Sequence, residues 1–136
     1  MEFGEIIKKA VQMRGAAYAP YSRFTVGAAV LADSGRIYGG ANVENATYGA
    51  TVCAERNAIY AAVMAGARKI LAIAICGGRE GSSNDYCPPC GICRQVMREF
   101  CCPDEMNVVV AKSIDDFKVF KLSELLPESF GPEVLR

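Results

Sequence analysis

The chain has no histidine among its 136 residues. A transition-metal site in it must therefore be built from thiolates and carboxylates rather than imidazole. Net charge is also missing, with 15 basic residues against 15 acidic ones and no run of lysine or arginine. That argues against nucleic acid as the main partner, because neutralising phosphates needs a basic surface. The longest apolar run, Ile70–Cys76, falls far short of a membrane span. The opening MEFGEIIKKA carries early acids and lacks the apolar stretch of a signal peptide, so a cytoplasmic location is expected. No repeat, low-complexity tract or linker interrupts the sequence, and one domain spanning residues 1–136 is expected.

What the chain does contain is cysteine, seven of them, in a sequence that is 51% hydrophobic and 22% charged. Such a composition is globular. An odd number of cysteines without export signals reads as thiols and metal ligands rather than disulfides. Two motifs stand out: Cys53-Ala54-Glu55, and Pro89-Cys90-Gly91-Ile92-Cys93 some thirty residues later. Three cysteines at that spacing can hold one zinc ion and leave its fourth position open. A carboxylate two residues from the first ligand can then act on whatever fills that position. Structural zinc is normally closed by four protein ligands, so the pattern points to a hydrolytic site. Other readings compete. Cys87, Cys90 and Cys93 are spaced like the start of an iron–sulfur run, but its fourth ligand falls at Met97 and Cys102-Pro103 arrives too late. A redox pair leaves Cys53 and Glu55 unexplained, and a non-enzymatic zinc module requires a fourth ligand. Cys76, Cys101 and Cys102 read as core or surface residues, whereas Cys87 lies close enough in sequence to compete for the metal.

Residues 2–15 place Ile6, Ile7, Ala10, Val11 and Met13 largely on one side of an amphipathic helix. Phe24–Ala32 and 36–42 read as strands joined by a turn at Asp33-Ser34-Gly35. An alanine-rich helix follows over 53–65, ended by Gly66, then a buried strand over Ile70–Cys76. Residues 77–88 read as a loop, with Pro89 opening a helix to about Phe100. Short strands are expected over 107–111 and 117–121, with Ser123 capping a last helical turn. Helices alternating with strands predict an α/β fold: three α-β-α layers around a mixed, mostly parallel five-stranded sheet. Both cysteine motifs fall at helix starts, where the dipole and unpaired N–H groups favour thiolates. Arg56 is placed to offset the charge of three thiolates.

With FTVGAA at 24–29 and NVENA at 42–46 ahead of CAE and PCGIC, the chain resembles the small zinc-dependent cytidine deaminases from about Tyr18 to Phe130. The resemblance implies one zinc ion per subunit on Cys53, Cys90 and Cys93. It implies hydrolytic deamination of cytidine and 2′-deoxycytidine to uridine and 2′-deoxyuridine with release of ammonia, in pyrimidine salvage. Hydroxide at the open metal position attacks C4, and Glu55 shuttles the protons. It further implies a ribose-binding pair in Asn42 and Glu44, an aromatic pocket wall in Phe24, and a backbone contact to the base at Ala54. Phe130 would close over the base of a neighbouring subunit in a homotetramer with shared sites, and Tyr21 and Tyr48 would lie near subunit contacts. Another cytosine nucleoside, such as blasticidin S, is the alternative substrate, and NVENA with Phe24 favours plain cytidine. Two departures from the family are the longer 77–88 loop with its Cys87, and Ile92 where a smaller residue is common.

Overall fold

A computed structural model describes residues 2–82 and 85–136; Ser83 and Asn84, within the expected 77–88 loop, lie outside the described residues. The elements run α1 (Gly4–Met13), β1 (Phe24–Ala32), β2 (Ile37–Ala41), α2 (Ala54–Met64), β3 (Ile70–Arg79), α3 (Gly91–Glu99), β4 (Asn107–Ser113), β5 (Asp116–Lys121) and α4 (Leu122–Leu125).

The strands form one five-stranded sheet in the order β2-β1-β3-β4-β5. It is mixed, as expected, but not mostly parallel. Only β3 and β4 pair in parallel, while β1 pairs antiparallel with both β2 and β3, and β4 with β5. Tight turns after β1 and β4 impose two of the antiparallel junctions. The third follows from strand order. The crossover through α2 makes β2 and β3 point the same way, yet β1 is inserted between them.

Both faces of the sheet are covered, and β3 shows how the sequence arranges it. Ala72, Ala74 and Cys76 join the cluster under α1 with Ile6, Ile7, Ala10, Val109 and Ala111. Ile73 and Ile75, pointing the other way, join the cluster that takes in Ala58 and Ile59 of α2 and Cys93 and Met97 of α3. Small residues on the α1 side let that helix sit directly on the sheet: a Cβ at Gly27 would lie 1.9 Å from the Ala10 carbonyl oxygen. Val11 falls off the buried stripe of α1 and is exposed.

Among the boundaries that differ from the sequence reading are these three. β3 runs on to Arg79, because its last residues pair with the start of β1, Phe24 opposite Arg79. α3 begins at Gly91 rather than Pro89, with Cys90 as its N-cap residue. Ser123 lies inside α4 instead of capping it; Glu124 Oε1 accepts the Lys121 N–H at 2.8 Å, so the cap and the helix start fall two residues earlier.

Candidate metal and active site

Cys53 is the N-cap residue of α2 and Cys90 that of α3. Cys93 lies one turn into α3, fully buried. The two helix starts bring three sulfurs together. Cys53 Sγ is 3.8 Å from Cys90 Sγ, Cys90 Sγ is 3.4 Å from Cys93 Sγ, and all three lie within 4.8 Å of one another. Zinc–sulfur bonds of about 2.3 Å in a tetrahedron separate two sulfurs by about 3.8 Å, so the trio fits one zinc ion. Every cysteine is a free thiol. No fourth candidate ligand joins the cluster among the described residues. Met97, where the fourth ligand of an iron–sulfur run would fall, is buried in the core. Cys87 lies outside the trio, and burial, with the nearby Glu55 carboxylate adding to the shift, pushes its thiol up to about 11.

The Cys93 thiol donates towards Cys53, and the Arg56 guanidinium approaches Cys53 Sγ at 3.6 Å, which together hold the Cys53 thiol down at about 5. Cys93, donating to that thiolate and buried, is pushed well above the ordinary thiol range. Arg56 Nη2 also reaches the Thr51 carbonyl at 3.5 Å, and its Nε is buried without a partner among the described residues. Arg56 thus faces the sulfur cluster through Cys53 Sγ.

Glu55 is the second residue of α2 and only 4% exposed. Loss of water around it raises the carboxyl from 4.5 to about 7, with the Cys53 thiolate pushing the same way. A carboxyl that straddles neutrality can both take and give a proton at working pH. Ala54, just before it, is fully buried.

The other candidate residues divide into two groups. Glu44 accepts the N–H groups of Tyr21 and Ser22 at 3.0 and 3.1 Å, and the Ser22 hydroxyl as well, so it pins the loop before β1. Those hydrogen bonds, the Ser22 hydroxyl first, hold its carboxyl below the usual range. Tyr21, Ser22, Glu44, Tyr48 and Thr51 line a cavity of about 420 Å³, with the Tyr21 and Tyr48 rings edge to face at 5.8 Å. Asn42 is buried and brackets the start of β1: its Oδ1 accepts the Val26 N–H and its Nδ2 donates to the Phe24 carbonyl, both at 2.9 Å. Phe24 is half-buried. Phe130 stands apart, 61% exposed, with its carbonyl accepting a hydrogen bond from Gln95 of α3 at 3.1 Å. A larger cavity near α1, lined by Lys8, Arg14, Thr25, Glu80, Lys112 and Ile114 among others, contains none of the candidate residues.

Sequence reading missed three residues that place the site. Asn57 Nδ2 donates to the Ala41 carbonyl at 2.7 Å and ties α2 to β2. Arg94 donates to the Pro89 and Leu125 carbonyls, each at 2.8 Å, and steadies the entry to α3. Gly40 lets α2 approach: a Cβ there would lie 2.4 Å from the Ala58 nitrogen and 2.7 Å from the Ala54 oxygen. The paired glycines of β2, Gly39-Gly40, were the available signal, since glycine inside a strand often marks a close backbone approach.

Residues 3–111 match the family model described as the cytidine and deoxycytidylate deaminase zinc-binding region. The chain is 46% identical over 128 residues to a cytidine deaminase of Halalkalibacterium halodurans, covering 94% of this chain and 93% of that protein. It is 42% identical over 135 residues to one from Sporosarcina psychrophila, covering 99% and 96%. Among solved structures, the cytidine deaminase of Burkholderia pseudomallei superposes with a TM-score of 0.85 at 42% identity, covering 96% of this chain and all of that one. The Mycobacterium tuberculosis enzyme gives 0.81 at 39% identity, covering 96% of this chain and 98% of the other.

Proposed function

We propose, since this chain belongs to the zinc-binding cytidine and deoxycytidylate deaminase family, that it deaminates cytidine and 2′-deoxycytidine to uridine and 2′-deoxyuridine. The chain is a hydrolase of that family, and Cys53, Cys90 and Cys93 form its zinc-binding cluster. The observation that carries the reading is one buried carboxylate, Glu55, beside three convergent thiols and beneath no fourth ligand among the described residues. A structural zinc module would use the fourth position and has no work for Glu55.

Cys53, Cys90 and Cys93 would hold the zinc ion, whose chemistry would be to activate a water as nucleophile for C4 of the pyrimidine. Glu55 takes one proton from the attacking water and delivers it to N3; it then takes the remaining proton from the oxygen added at C4 and passes it to the amino group, which leaves as the C4–N bond breaks and the C4 carbonyl forms. Water is consumed and ammonia leaves. The carboxyl's position near neutrality supports both directions of transfer. Arg56 spreads the negative charge of the thiolates, which otherwise weakens acidification of water at the metal. The Ala54 backbone, at the first turn of α2, meets the base, and Phe24 forms a wall of its pocket. Asn42 and Glu44 bind the ribose hydroxyls with the lone pairs and N–H left over from their contacts to β1 and the Tyr21–Ser22 loop.

The same reading takes the catalytic unit as one domain over residues 1–136, assembled as a homotetramer. Phe130, projecting from its own subunit, then covers the base in a neighbour's site, and Tyr21 and Tyr48 lie near the contact. Free thiols and the absence of any described helix long and apolar enough to cross a membrane fit cytoplasmic work in pyrimidine salvage. The test is the ultraviolet change as cytidine becomes uridine. Conversion should vanish on chelation and return with zinc, and zinc-loaded protein inert towards both nucleosides would defeat the proposal.

A further inference from the structure

The segment that brings Cys90 to the metal is anchored at a point the reaction does not explain. Tyr86, four residues earlier, donates its hydroxyl to Asp116 Oδ1 at the first residue of β5. Its ring centroid lies 4.4 Å from Lys112 Nζ and 4.3 Å from Lys118 Nζ. Both lysines and the aspartate belong to the β4–β5 hairpin, so three side chains of one paired unit meet a single ring. Cations at that distance are drawn to the electron-rich face of the ring.

Between the anchor and the ligand stand Cys87, Pro88 and Pro89. Two successive prolines fix their own φ angles and hold the residues before them extended, so this arm bends little. Its far end is fastened too: Pro89 is buried and its carbonyl accepts Arg94 Nε at 2.8 Å. Cys90 is the exposed member of the trio, whereas Cys93 is fully buried and Cys53 half-buried. Packing therefore locates Cys93, but the chain on either side must locate Cys90.

We propose that Tyr86 is a positioning residue for the metal site, seated on the β4–β5 hairpin so that the stiff Cys87–Pro89 arm holds Cys90 within reach of the same ion as Cys53 and Cys93. The inference rests on the three-cysteine zinc site of the proposed function, not on which nucleoside is turned over there.

The experiment compares the zinc-loaded full chain with Tyr86→Ala and Tyr86→Phe. Tyr86→Ala should lose zinc to a chelating dye about tenfold faster, the lower range for loss of a residue supporting a metal ligand. Tyr86→Phe keeps the ring between the lysines and should fall between the two. In cobalt-substituted protein the thiolate-to-cobalt charge-transfer band should weaken in Tyr86→Ala, reporting a displaced Cys90. A purely structural tyrosine would lower the melting temperatures of metal-free and zinc-loaded protein equally; a positioning one narrows the gap between them. Wild-type zinc release, or an unchanged gap, would overturn the inference. Parent protein that cannot retain zinc would overturn both proposals. Zinc retention without turnover of cytidine would defeat the proposed substrate alone, with the Tyr86 comparison still deciding this one.

Discussion

Glu55 combines two properties that usually exclude each other, a carboxylate's acidity and a core residue's burial, and its chemistry follows from the conflict. Desolvation raises its carboxyl from 4.5 to about 7, so near neutrality the group is neither fully charged nor fully neutral. Replacing it with glutamine keeps the shape and removes the exchangeable proton. Glu55→Gln should retain zinc and fold while turnover falls by about 10³, within the range for loss of a general acid–base; atomic absorption alongside the cytidine assay reads both. The same burial has a thermodynamic signature. With the folded-state value raised, the unfolded chain gives up this proton first. Stability from Glu55 is then fully present below about pH 4.5 and is lost as pH rises through about 7. For metal-free proteins in urea, the stability of wild type minus that of Glu55→Gln should drop by about 3 kcal/mol from pH 4.5 to pH 8. Parallel pH profiles would mean that the carboxylate is solvated. The sequence placed Glu55 beside the cysteines through the CAE motif, but its burial was not legible there, because it arises from elements distant in the chain. Glu44 shows the reverse. The family resemblance implied a sugar site there, while the structure also gives Glu44 a local task in holding Tyr21 and Ser22.

At the scale of elements, the site is two helix starts set against a sheet, and the closeness of α2 to β2 fixes where Cys53 and Glu55 stand. Gly40 is the point of closest approach. A side chain there meets backbone atoms, Ala58 N at 2.4 Å and Ala54 O at 2.7 Å, which cannot rotate out of the way. Gly40→Val should therefore displace α2, costing about 3 kcal/mol, and should lower zinc retention and turnover together. Gly15→Ala is the matched control, since nothing lies within 4 Å of a Cβ at that position. Denaturant midpoints and metal content of the two variants check the contrast; equal effects would show that α2 has room to shift. Much at this scale could be read from sequence. β1 has the predicted bounds, and cysteines stand at both helix starts, because apolar runs, turn residues and motif spacing are local signals. Strand order is not local. The insertion of β1 between β2 and β3 turned an expected mostly parallel sheet into one with a single parallel junction, and no residue pattern within β2 or β3 announces it. The start of α4 was misplaced for a smaller reason: Ser123 looked like a cap, but Glu124 reaches back to the Lys121 N–H.

For the whole molecule, the arrangement of exposed apolar side chains matters more than any one contact. Tyr48, Met64, Phe130 and Leu135 are all more than 60% exposed, and large apolar groups left in water favour association. Phe130 is the informative one, because the proposed assembly gives it work only in a neighbour's site. That division of labour can be tested by complementation. Glu55→Gln subunits lack the proton shuttle but keep Phe130; Phe130→Ala subunits keep the shuttle but lack the cover. Neither alone should turn over cytidine well. Co-refolded at equal amounts, random assortment pairs an intact Glu55 with a neighbour's intact Phe130 in about a quarter of sites. Activity of the mixture should rise above the mean of the two parents towards that fraction, and merely combining the folded, assembled variants should give no rise until subunits exchange. A mixture that stays at the parental mean would place Phe130 outside any neighbour's site. Sedimentation of the same samples separates the two ways this can fail: monomers would remove the shared site altogether, whereas inactive tetramers would mean that the subunits associate without lending one another this ring.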